Sequence, residues 1–168
     1  MEIVNAINSL LNLMRRIKQE HNRYMQYPAS KEEIDVLCRT IRKKFDIELS
    51  PAYRSILLKT NGFRENGVQL YGTETKFQEG YKKEEIYVEG FLDANENWKH
   101  NIDFVNYIVY AESDTYIFAQ SLMTKKYLCH AQGDFENSFI WETTNDETYF
   151  EIILRLAVDD DFSIQDVL

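Results

Sequence analysis

Two cysteines, two prolines, six glycines and three histidines are all that a chain of 168 residues contains. Without a Cys-x-x-Cys pair, zinc-ribbon and dithiol redox chemistry lack their ligands. Cys38 falls on the apolar face of a predicted helix and Cys129 in a predicted strand, so both read as reduced thiols packed as small hydrophobes. His21, His100 and His130 share no motif spacing, and no metal-ligand pattern surrounds them. A nucleophile pair such as Cys129 with His100 has no supporting motif. Gly67 and Gly72 are too few and wrongly spaced for a phosphate loop. Adjacent Glu84 and Glu85 point to opposite faces of a strand, which is no arrangement for paired acid and base. Long apolar runs are missing too, and the first residues lack a signal-peptide pattern. The expectation is a cytoplasmic protein without catalytic set, cofactor or metal.

Positive charge is also scarce, and it is unevenly placed. Residues 1–60 carry 11 Lys/Arg against 7 Asp/Glu, a balance of +4, whereas residues 61–168 carry 8 against 21, a balance of −13. The net charge of −9 argues against general nucleic-acid or anionic-membrane binding. It suits solubility, and it suits a basic protein partner whose encounter an acidic field accelerates. A basic face on the first helix (Arg15, Arg16, Lys18, Arg23) leaves phosphate contact open as an alternative, although such a face is ordinarily just solvated.

What is present is apolar and aromatic. The hydrophobic fraction is 44% and the aromatic fraction 14%, ample for one domain with a core. Ile3, Ile7, Leu10, Met14, Ile17, His21 and Tyr24 recur at alternating spacings of four and three, which predicts one long amphipathic helix. Val4, Leu11 and Leu13 widen the stripe, favouring packing on the domain over a helix-mediated homodimer. Tyr27-Pro28-Ala29 breaks that helix. Ser30 and Glu33 have capping-box spacing before the apolar face Ile34, Leu37, Cys38, Ile41 and Phe45. Further on, Asp93 to Trp98 reads as a turn into a short helix. Tyr107–Ala111 and Thr115–Ala119 read as a hairpin, Lys126–His130 as a third strand and Asn137–Trp141 as a shorter one. Thr144 with Glu147 repeats the capping-box spacing before a closing helix carrying Tyr149, Phe150, Ile153, Leu154 and Ala157. Helices, then an antiparallel sheet, then a closing C-terminal helix define an α+β domain. The expected division is an amphipathic helical extension over residues 1–28 and the α+β domain proper over 29–168.

The stretch from Ser50 to Gly72 organises the rest. Ser50 caps a helix and Pro51 suits its first position. Tyr53, Ile56 and Leu57 face inward, and Asn61-Gly62 is expected to stop the helix through a left-handed residue. Asn66-Gly67 turns the chain into a strand through Val68, Leu70 and Tyr71.

These pieces, in this order, resemble the SUKH superfamily (Smi/Knr-type), in particular its YrhA-like branch. The likeness rests on Leu49-Ser50-Pro51-Ala52-Tyr53, on Thr60-Asn61-Gly62-Phe63 and on Asn66-Gly67-Val68-Gln69-Leu70-Tyr71-Gly72. It extends over most of residues 31–160. Pro51, Tyr53, Asn61, Gly62, Gly67 and Tyr71 are its structural markers. Ser50 departs from the pattern, since many members place Pro directly after the apolar residue. The resemblance implies an α+β fold without catalytic residues. It also implies an immunity protein that binds and neutralises the toxin domain of a polymorphic toxin system, often a nuclease. Regulatory or scaffolding modules that bind a housekeeping protein are the alternative within the same superfamily. For the partner surface, the acidic positions Glu84, Glu85, Glu89, Asp93 and Glu96 are the candidates, with Glu112 and Asp114 at the hairpin turn. Tyr87 and Trp98 stand near them as anchors of the kind that dominate interface energies.

Overall fold

Ser30 accepts a hydrogen bond from the Glu33 amide at 3.1 Å while the Glu33 carboxylate accepts one from the Ser30 amide at 2.6 Å. This reciprocal cap fixes where a helix starts in the computed structural model, which describes residues 2–79, 85–133 and 138–168. Of the candidate residues, Glu84 lies outside the described residues, as does Asn137 of the predicted last strand. The helices are α1 (Glu2–Glu20), α2 (Lys31–Phe45), α3 (Pro51–Leu57), α4 (Phe91–Trp98) and α5 (Asp146–Val158). The strands are β1 (Phe63–Glu65), β2 (Val68–Leu70), β3 (Lys76–Glu79), β4 (Glu85–Val88), β5 (Tyr107–Glu112), β6 (Tyr116–Ser121), β7 (Tyr127–Ala131) and β8 (Phe139–Thr143).

Among the described residues the main sheet has the order β1-β2-β5-β6-β7-β8, every neighbouring pair antiparallel, and β3 with β4 forms a separate hairpin. Helices before, within and after an antiparallel sheet make this an α+β fold, as the element order predicts. None of the described helices is long and apolar enough to cross a membrane.

α1 packs on α5, and its Ile7, Leu11 and Met14 join the same core as the sheet residues. The buried stripe continues to Lys18 rather than to His21 and Tyr24. The helix ends at Glu20, and Asn22 takes a left-handed φ of 53°, which carries His21 and Tyr24 off the stripe into solvent. Lys18 and Arg23 are therefore not part of a solvated basic face. Lys18 is 3% exposed and meets Glu65 at 2.6 Å, and Arg23 lies across both oxygens of the same carboxylate at 2.7 and 3.1 Å.

Two local expectations change. α3 ends at Leu57, capped by Leu58 in a right-handed conformation, so Gly62 is not its stop signal. Gly62 does adopt φ +75°, but at the start of β1, where its backbone approaches β2 closely. Phe63 opens that strand. At α5 the cap is Asn145, whose side chain accepts from the Thr148 amide at 3.0 Å, and Thr144 stays outside. Asn is among the strongest N-cap residues, and one step later in sequence it wins.

The core is largely aromatic. Tyr53 stacks on Phe150 at 5.4 Å and meets Tyr110 edge-on at 5.2 Å, while Tyr149 lies 4.9 Å from Tyr127. The Tyr149 hydroxyl is shared between the carbonyls of Ala119 and Leu128, a buried polar group kept satisfied. Burial pushes the hydroxyls of Tyr53, Tyr71, Tyr110 and Tyr149 upward, and that of Tyr127 up to about 12. Because the folded values lie above the unfolded value of 10.0, the native state retains protons that the unfolded chain gives up. Stability is therefore intact below pH 10 and falls as the pH rises past it, by up to about 1.4 kcal/mol per pH unit for each such tyrosine. The expected result is cooperative alkaline unfolding, with these five ionising only as the fold is lost. Tyrosinate absorbance and circular dichroism, followed together, check it; ionisation of all 11 tyrosines before any loss of dichroism contradicts it.

Candidate acidic binding site

β2 and β5 meet in register at Gln69↔Glu112 and Leu70↔Ala111, and there the candidate site begins. β2 ends at Leu70; the Tyr71 amide still donates to the Tyr110 carbonyl at 3.1 Å, and beyond it the edge of β5 is taken over by a side chain. Asn95 of α4 accepts from the Val109 amide at 2.7 Å and donates to the Val109 carbonyl at 2.9 Å. Its carboxamide thus replaces a strand partner and seats α4 against the sheet. Nothing in the pattern Asp93-Ala94-Asn95 announces this role, because an inward-facing asparagine on a helix has no sequence signature.

With α4 so placed, Trp98 donates its indole N–H to the Tyr71 hydroxyl at 2.9 Å, and that hydroxyl lies beside the Glu112 carboxylate. Tyr53 donates to the main-chain carbonyl of Tyr71 at 2.5 Å, which holds the backbone beneath that ring. Burial first and the Glu112 charge second keep the Tyr71 hydroxyl protonated. Glu89 follows β4 and accepts from Asn97 at 3.0 Å. Its carboxyl is pushed up chiefly by burial, with the negative fields of Glu112 and Asp93 adding to that. Tyr71, Glu89, Asn97, Trp98, His100 and Glu112 line one cleft of about 470 Å³. On the other side of Glu112 a second groove of about 620 Å³ is lined by Gln69, Gly67, Asp114, Gln132, Arg23 and Arg64 among others. Glu112 belongs to both.

The candidate residues divide accordingly. Glu89, Trp98 and Glu112 come together in the first cleft, and Asp114 borders the second groove. Among the described residues none of Glu89, Glu112 and Asp114 has a cation within ion-pair distance. Glu96 faces elsewhere and pairs with Lys99 at 2.9 Å and Lys44 at 3.3 Å. Asp93 accepts from the Thr75 hydroxyl and helps hold the loop before β3. Tyr87 stands on the hairpin, 5.1 Å from Phe77, both rings exposed. Glu85 opens β4 beside them in sequence.

The structural markers fall where backbone geometry demands them. Pro51 is the first residue of α3, and Ser50 caps it while donating to Asp146 of α5 at 2.6 Å. Asn61 exchanges hydrogen bonds with Thr73, accepting at 2.7 Å and donating at 2.8 Å, and so ties the end of the helical part to the chain after β2. Asn66 and Gly67 both have positive φ, 47° and 71°, which makes the tight hairpin turn from β1 to β2.

No protein-family model matches the chain, and no curated protein matches it. The groups gathered in the first cleft accept hydrogen bonds, carry negative charge and frame a half-buried indole.

Proposed function

We propose that this chain is a non-catalytic binding protein of the SUKH type, an immunity protein that neutralises a basic toxin domain in the cytoplasm. The observation that carries the reading is that Glu89 and Glu112 beside Tyr71 and Trp98, and Asp114 on the adjoining groove, have no cation within ion-pair distance among the described residues. Exposed carboxylates are ordinarily balanced by water alone; here two of the three are partly buried beside aromatic rings. A basic partner gains there, since an acidic field speeds encounter and an amphipathic aromatic supplies buried contact area. The sequence features of Ser50–Gly72 add support, because they hold β2 and α4 in the geometry on which the cleft depends.

Reversing the charge at Asp114, an exposed position, tests this without disturbing the fold. Asp114→Lys together with Glu89→Lys is expected to weaken the complex with the toxin by tenfold or more and to flatten the salt dependence of association, in keeping with losses of about 2 kcal/mol or more for interfacial charges. Association rates at two ionic strengths measure it. Unchanged rates and affinity would remove the acidic cleft from the interface.

A further inference from the structure

Gln69 is 7% exposed, and its Oε1, closed off from solvent, has no hydrogen-bond partner among the described residues. Its Nε2 donates to Glu112 Oε1 at 3.3 Å, which fixes the orientation of the amide, since the flipped form would set oxygen against carboxylate. A buried carboxamide oxygen without a donor is an unfavourable feature that folded proteins seldom keep. Gln69 is one of the residues lining the 620 Å³ groove, as are two further acceptors, Glu112 and Asp114.

The charges around it are arranged in two halves. At one end Arg23 covers both oxygens of Glu65, so that pair is compensated, and Arg64 donates to the Tyr87 carbonyl at 3.4 Å. At the other end Glu112 and Asp114 have no cation within ion-pair distance among the described residues, and the wall opposite Asp114 is Gly67, whose missing β-carbon would stand 3.5 Å from Asp114 Oδ2. The uncompensated half therefore offers acceptors from three side chains, over a floor open at Gly67.

We infer that this half of the groove receives the guanidinium of an arginine side chain from the protein partner, with Gln69 Oε1 and the carboxylates of Glu112 and Asp114 as its acceptors. The inference rests on the protein-binding reading above and specifies its chemistry. Arginine fits better than lysine because a planar fork of five N–H donors serves several separated acceptors at once, whereas an ammonium is a compact, strongly hydrated point charge. A small turn of the Gln69 side chain brings its oxygen to the groove surface, and the bond gained there removes an unpaired acceptor from the interior.

The test titrates the 15N-labelled full chain with Nα-acetyl-arginine methylamide and follows backbone and side-chain amide resonances. The expected result is saturable shifts at the Gln69 side-chain amide, Gly67 and Asp114. They should be smaller with the lysine counterpart and absent with the citrulline counterpart, which keeps the shape but loses the charge. Gln69→Leu should abolish them and Asp114→Asn should reduce them severalfold; Asp114 is exposed, so that variant keeps the test valid even if Gln69→Leu does not fold. Absence of a shift at Gln69 in the wild-type chain, or equal titration by arginine and citrulline forms, overturns the inference. Protection of cells from the toxin separates the two claims. A chain that protects but shows no Gln69 shift refutes the arginine groove alone. A chain that binds the arginine probe but neither binds nor neutralises the toxin upholds the groove's guanidinium preference and refutes the immunity reading.

Discussion

Replacing Gly62 with alanine is expected to lower the stability by about 3 kcal/mol or more. Two independent terms combine. At φ +75° an L side chain carries a conformational penalty of about 1–2 kcal/mol. The added carbon would also stand 2.6 Å from the Leu70 carbonyl oxygen, 2.8 Å from the Gly72 nitrogen and 2.8 Å from Val88 Cγ1. Two of those atoms belong to the backbone and cannot swing aside, and overpacking of this kind costs about 1–3 kcal/mol. Gly67→Ala is the internal control. Its φ of +71° is nearly the same, yet the nearest obstacle is Asp114 Oδ2 at 3.5 Å, so only the conformational term of about 1–2 kcal/mol applies. Urea unfolding of both variants checks the difference. Equal losses would show that the close approach of β1 to the loop after β2 is not real.

The second large effect concerns Glu65. Its carboxylate, 7% exposed, holds Lys18 at 2.6 Å and Arg23 at 2.7 Å, and Lys18 also donates to the Arg64 carbonyl at 3.0 Å. Glu65→Leu leaves a buried ammonium facing only a carbonyl, a loss of about 3–5 kcal/mol by the usual cost of breaking a buried pair. Removing both partners, Lys18→Met with Glu65→Leu, should recover most of that loss, because well-packed apolar groups often replace a buried ion pair without penalty. The pH dependence follows the sign of the Lys18 shift. Burial, opposed by Glu65, lowers its folded value below 10.5, so the unfolded chain binds this proton more tightly. Stability attributable to Lys18 therefore rises with pH toward 10.5. In Glu65→Leu, where the opposing carboxylate is gone, the rise should be steeper. Unfolding free energies at pH 7 and 9.5, both below the tyrosine transition, measure it, and a deficit that grows with pH would contradict the assignment.

Lys18 also shows why part of the architecture was legible in the sequence and part was not. A repeat of Ile7, Leu11, Met14 and Lys18 is as regular as the seam through Ile17 and His21, but hydrophobicity alone does not select a lysine as the inward residue. A buried cation needs a distant carboxylate, and Glu65 is 47 positions away in sequence, beyond any periodicity. The same holds for Asn95, whose partner is the Val109 backbone. Local features were readable because their causes are local: the Ser30–Glu33 cap, Pro51 at the first turn of α3, the Asn66-Gly67 hairpin and the β5–β6 pair. Gly62 was readable as a left-handed residue, whereas its reason, the approach of Leu70 and Val88, lies in the tertiary structure. For the site, acidic composition pointed to residues 61–168, where Glu89, Glu112 and Asp114 lie. It did not separate Glu96, tied to Lys44 and Lys99, from Glu89 and Glu112, which converge on Tyr71. That distinction depends on how α4 is seated.

The central claim is that Glu89, Glu112 and Asp114 form the surface through which this chain neutralises a basic toxin. The most direct measurement is survival of cells that express the product of the gene immediately upstream, with either the wild-type chain or the Glu89→Lys, Asp114→Lys variant supplied in the same cell. The account predicts that the wild-type chain protects, that the two proteins purify as a complex, and that the folded variant does neither. Death of cells that carry the wild-type chain, with no complex formed, would contradict it.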